Sequence, residues 1–81
     1  MKMPRDISSD HLIKVLLKLE YSITRQKGSH LRLSKRYIDG EHHITLPNHN
    51  PIKIGTLNNI LNELSLKTKL SKEDLIKLIL E

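Results

Sequence analysis

Eighty-one residues carry 14 Lys/Arg against 9 Asp/Glu, a formal charge of +5, and contain no Cys, Phe or Trp. That length makes one domain, 1–81, which buries about 60–65% of its unfolded surface. The composition excludes a disulfide framework and a thiolate metal site, and no apolar run approaches the ~18 residues of a membrane span or forms a signal peptide.

The charge is unevenly spread. Residues 1–36 hold nine Lys/Arg against three Asp/Glu, whereas 37–81 hold five against six. The positive field therefore sits with the predicted first helix and first two strands, which suits a polyanion binder. A chain without Cys also suits a reducing cytoplasm.

The first helix is predicted from Leu12, Val15, Leu16 and Leu19, spaced i, i+3, i+4, i+7 and widened by Ile13 and Leu17. Ser8 or Ser9 can cap it, with Asp10 in the first turn opposing the positive end of the helix dipole. His11 reads as a surface residue of that turn. Lys14 and Lys18 lie one turn apart on the opposite face, where their repulsion offers a site for a polyanion.

The period then changes. Tyr21 and Ile23 alternate with Ser22 and Thr24 as in a strand. Gly28 interrupts as a turn or bulge would. Leu31 and Leu33 alternate with His30, Arg32 and Ser34, so leucines in the core place His30 and Arg32 in water on one side of the sheet. Asp39-Gly40 is a two-residue hairpin signal. It sets Ile38 opposite Glu41, Arg36 opposite His43, Ser34 opposite Thr45 and Leu33 opposite Leu46. Pro47 ends the return strand, and continuing past it brings the region of His49 towards His30.

Thr56 is the expected cap of a second helix carrying Leu57, Ile60, Leu61 and Leu64. Lys67 to Lys69 breaks that pattern. Ser71 with Asp74 resembles a capping box before a last helix over 72–80. The order is α-β-β-β-α with a short extra C-terminal helix. It is an α+β fold, a three-stranded antiparallel sheet with helices on one face, like a double-stranded-RNA-binding domain.

Three segments carry a resemblance: Lys27-Gly28-Ser29-His30 after a helix and a strand, Ile44-Thr45-Leu46-Pro47-Asn48-His49, and Gly55-Thr56-Leu57 with Ile60-Leu61. Together they resemble HicA-type toxins, small ribonucleases of bacterial and archaeal toxin–antitoxin pairs, over roughly 5–80. The resemblance implies a type II toxin that cleaves mRNA in a stress response and is inhibited by a HicB-like antitoxin. It also gives His30 the place of the family's catalytic histidine. Where this chain has Glu20, the family usually has Gly. A left-handed conformation there would cost Glu about 1 kcal/mol.

The chemistry needs little from the protein. RNA supplies its own nucleophile, the ribose 2′-OH. One proton must leave it, and another must reach the departing 5′-oxygen. His30 suits either transfer, since imidazole titrates near neutrality. Lys27, Ser29 and Arg32 belong to the phosphate-binding segment, and Lys14, Lys18 and His49 extend the expected RNA contacts. No metal or cofactor is expected. No carboxylate pair stands out to hold Mg²⁺, and His42, His43 and His49 lack a matching acidic ligand. The alternatives are a double-stranded-RNA-binding module that cuts nothing, and an interaction protein whose basic face docks an acidic partner.

Overall fold

The computed structural model describes residues 3–47 and 50–81. The elements run α1 (Ser9–Lys18), β1 (Ser22–Lys27), β2 (His30–Tyr37), β3 (Gly40–Pro47), α2 (Ile54–Thr68) and α3 (Lys72–Leu80). The three strands form one antiparallel sheet in the order β1-β2-β3. Leu33, Ile44 and Leu46 from the sheet join one core with Leu12, Val15 and Leu16 of α1, Leu57, Ile60, Leu61 and Leu64 of α2, and Leu75, Ile76 and Ile79 of α3. The helices thus cover one face of the sheet and leave the other open. Burying a leucine as fully as Leu33 contributes about 1.5–3 kcal/mol.

Local chemistry sets the ends of the helices. Ser8 caps α1, its hydroxyl accepting from the His11 N–H at 3.1 Å. At the other end Glu20 lies at φ 72, in the left-handed region. The Tyr21 N–H donates to the Leu16 carbonyl and the Glu20 N–H to that of Leu17, each at 3.0 Å. These two bonds make a Schellman motif, so glutamate occupies a conformation that glycine adopts without strain. Ser71 caps α3 by accepting from the Asp74 N–H.

Three details differ from the sequence reading. The β2–β3 loop is Ile38-Asp39, not Asp39-Gly40, because Tyr37 pairs with Gly40 and Leu33 with Ile44. A type I′ Asp-Gly turn needs positive φ at both positions. Here Gly40 alone supplies it, at φ 129, as the first residue of β3. The observed register sets two apolar pairs, Leu33 with Ile44 and Leu31 with Leu46, where the expected one sets only Leu33 with Leu46. The slip is two residues, an even number, so every side chain keeps its face.

The second difference is α2. It begins at Ile54 rather than after Thr56, and its N-cap, Lys53, makes no side-chain bond. The Leu57 N–H already donates to the Lys53 carbonyl at 2.9 Å, so the first turn forms around Gly55 without Thr56 as a cap. The third is His11. Its Nε2 hydrogen-bonds the Ile79 carbonyl, which ties α1 to the end of α3. It is a tether between helices, not a surface residue.

Candidate active site

A tight hairpin presents His30. Gly28 and Ser29 form the two-residue loop between Lys27 and His30, which pair across it. Gly28 has φ +57 and Ser29 has no positive φ, the requirement of a type II′ turn. A side chain at position 28 would meet open space but a strained backbone.

Register places the neighbours. Leu31 and Leu33 face the helices, so His30 and Arg32 lie on the open face. Lys27 stands directly opposite His30, and Arg25 directly opposite Arg32. A bulge at Thr24, between Ile23 and Arg25, brings Arg25 to that face. Adjacent strands lie about 5 Å apart and alternate residues about 7 Å apart. Four basic or titratable side chains therefore occupy one compact rectangle. Like charges directly opposite each other destabilise a sheet. Among the described residues, none of the four side chains is in a salt bridge, and the Arg32 Nε is buried without an acceptor. An anion would relieve the repulsion.

Beside the rectangle, towards α1, lies a cavity of about 180 Å³. Its walls include Asp10 and Ile13 of α1, Gln26 of β1, and His30, Leu46 and Pro47 of the sheet. The chain that leaves β3 is anchored nearby. The Asn50 Oδ1 accepts from the Ser9 N–H at 2.9 Å, and the Ile52 N–H donates to the Ile7 carbonyl at 2.8 Å.

The other strand histidines are engaged elsewhere. On the open face, the His43 Nδ1 meets the Ser34 hydroxyl at 2.5 Å, and Ser34 meets the Thr24 hydroxyl at 2.8 Å. The His43 Nε2 lies 3.7 Å from Glu41. On the helix side, the His42 Nδ1 meets the Tyr21 hydroxyl at 2.7 Å, Tyr21 meets the Tyr37 hydroxyl at 3.0 Å, and the His42 Nε2 lies 3.5 Å from Glu63. Every group in this second cluster is served if Tyr37 donates to Tyr21, Tyr21 donates to Nδ1, and Nε2–H points at Glu63. Burial above all pushes the Tyr21 phenol far above its ordinary range and keeps it neutral. His42 and His43 point to opposite faces, as neighbours on a strand must.

The sequence-predicted residues therefore divide. Lys27, Ser29, His30 and Arg32 come together at one hairpin end. Lys14 and Lys18 are exposed on the outer side of α1, in the helical layer. His49 lies outside the described residues. Arg25, Asp10 and Gln26 were missed. Arg25 was legible in principle, since a two-residue Gly28-Ser29 loop pairs 27 with 30 and 25 with 32. Asp10 and Gln26 share one cavity only through the packing of α1 on the sheet, which no local pattern encodes. Among the described residues, no three His, Asp or Glu side chains gather as metal ligands would.

The family model of the HicA toxin of bacterial toxin–antitoxin systems matches residues 9–66, from the start of α1 to near the end of α2. No curated protein and no solved structure matches the chain.

Proposed function

Because the chain belongs to the HicA toxin family of bacterial toxin–antitoxin systems, we propose that this toxin is an endoribonuclease that cuts mRNA without a metal, with His30 as its proton-transfer group. The observation that carries the reading is the arrangement at the hairpin end. An exposed histidine without an internal partner among the described residues sits in a block with Lys27, Arg25 and Arg32. Lys27, Arg25 and Arg32 supply positive charge for a scissile phosphate, and His30 moves a proton.

The reaction follows from RNA's own chemistry. The 2′-oxygen attacks phosphorus, the bond to the 5′-oxygen breaks, and a 2′,3′-cyclic phosphate and a 5′-hydroxyl remain. His30 takes the 2′-proton or supplies the one that the 5′-oxygen gains. Proton transfer by a positioned side chain contributes about 10²–10⁴-fold. Cations around the phosphate stabilise the charge that builds in the transition state. His49 is the complementary proton-transfer candidate.

A toxin of this kind has an antitoxin partner. A HicB-like antitoxin would act in the cytoplasm by lying across the hairpin end. An acidic partner is steered to the same basic block that attracts RNA, which raises its association rate. Covering His30 then excludes RNA without changing the toxin's fold. RNA retained by the toxin–antitoxin complex as tightly as by free toxin would overturn this masking.

Cleavage of a long mRNA in excess chelator tests the main proposal. The wild-type chain should cut, and His30→Ala should lose at least about 100-fold in rate with an unchanged melting temperature. Full activity of folded His30→Ala would contradict it. A chain that binds RNA through the block and leaves it intact would be a binding module instead.

A further inference from the structure

The cavity beside His30 has features that proton transfer does not use. Its volume of about 180 Å³ is that of roughly six waters at ~30 Å³ each, room enough for a nucleobase. Ile13 of α1 lines it from the helical layer, and Leu31, Leu46 and Pro47 line it from the sheet. Apolar walls on opposing layers suit the two faces of an aromatic ring. Asp10 and Gln26 add polar edges from α1 and β1. Neither side chain forms a hydrogen bond or ion pair among the described residues. Helix-dipole stabilisation accounts for an acid in the first turn of α1. It does not account for an acid beside a basic block that must hold an RNA strand, where a carboxylate repels phosphate.

We propose that this cavity is a base pocket that takes guanine from the nucleotide next to the bond broken at His30. The inference rests on the nuclease reading only for that position along the strand. An ionised carboxylate only accepts hydrogen bonds, with two oxygens side by side. Guanine alone offers two adjacent donors on its pairing edge, the ring N1–H and the exocyclic amino group, beside the acceptor O6. Asp10 takes the two donors, and the Gln26 amide donates to O6. Adenine and cytosine place one amino group beside a ring acceptor that the carboxylate repels. Uracil offers a single N–H between two carbonyls. Single-stranded RNA is commonly read in this way, by unstacked bases held on their pairing edges.

Two measurements test the pocket. Free guanosine, adenosine, cytidine and uridine monophosphates are titrated into the wild-type protein, and backbone amide shifts are followed. GMP should move the amides of 13, 26, 31 and 46, and bind roughly 10- to 100-fold more tightly than the others, the scale of one good bidentate contact. Asp10→Asn, which exchanges one acceptor for a donor, should abolish the preference. Gln26→Leu, at an exposed edge-strand position, should weaken it and serves as the second variant if Asp10→Asn fails to fold. Cleavage sites mapped on a randomised RNA should show guanine at one position beside the broken bond in the wild type and not in Asp10→Asn. Equal binding of the four nucleotides, or a guanine preference that survives Asp10→Asn, overturns the pocket. Selective GMP binding with RNA left uncut keeps the pocket and removes the nuclease. Cleavage without base preference removes the pocket and keeps the nuclease.

Discussion

The two ends of the β2 strand carry similar residue types in opposite states. At the Tyr37 end, Tyr21, Tyr37, His42 and Glu63 answer one another on the helix side of the sheet. Two lysines there are also occupied. The Lys35 Nζ donates to the Leu19 carbonyl at 3.0 Å, and the Lys67 Nζ lies 3.7 Å from Asp39. At the His30 end, two arginines face each other across β1 and β2, and the neighbouring histidine and lysine form no salt bridge among the described residues. The difference is one of closure. Where polar groups satisfy each other they hold the fold together. Where they are left open, and repel one another, they cost the fold stability.

The largest effect on stability should come from the closed end. His42→Ala removes the ring that accepts from Tyr21 and reaches Glu63, and should cost about 1–3 kcal/mol. In a domain of this size each kcal/mol lowers the melting temperature by about 4–8 °C. Calorimetry or thermal circular dichroism reads it, and an unchanged melting temperature would mean that the cluster is decorative.

The same cluster should make the fold sensitive to alkali. Burial raises the folded phenol of Tyr21 above its unfolded value of about 10, so the fold holds the neutral form. Its contribution is complete below pH about 10 and declines as pH rises towards the folded value, by up to about 1.4 kcal/mol per pH unit. Denaturant titrations between pH 9 and about 11 should show this loss, and Tyr21→Phe should flatten it.

At the open end the signs reverse. Replacing Arg25 or Arg32 with Ala removes a like-charge pair and should stabilise the domain by about 0.2–1 kcal/mol. The same change should weaken RNA binding and lower the logarithmic salt slope by about 0.7–0.9 for each lost phosphate contact. A variant that becomes both less stable and equally good at binding RNA would break the comparison. The smallest effect is expected from Lys14→Ala with Lys18→Ala. Both lie on the outer side of α1, away from the open sheet face. Their removal should change the salt slope less than that of Arg25 and Arg32, and an equal or larger change would move the RNA track onto the helix.

What the sequence disclosed follows from the range of the interactions involved. Alternation about Leu31 and Leu33 revealed the face of His30, because strand parity is local. It survived a two-residue slip of the β2–β3 register, since an even slip preserves faces. The loop itself was misread, because Asp39-Gly40 looks like a turn and only the cross-strand pairing of Leu31 with Leu46 and Leu33 with Ile44 shows that it is not. Helix ends marked by a serine, at Ser8 and Ser71, were legible; the start of α2, which has no side-chain cap, was not. The tether of His11 to α3 spans nearly the whole chain, and the packing that sets Asp10 and His30 on one cavity joins a helix to the sheet. No periodicity carries such contacts.

In the proposed division of labour, His30 works on a ligand and His42 works on the fold. Its most direct test is one assay applied to His30→Ala and His42→Ala: cleavage of the same mRNA in chelator, with each rate divided by the folded fraction measured in the same buffer. His30→Ala should be fully folded and at least about 100-fold slower, while His42→Ala should be less stable but cut at the wild-type rate per folded molecule. Wild-type cleavage by His30→Ala, or loss of cleavage by fully folded His42→Ala, would contradict it.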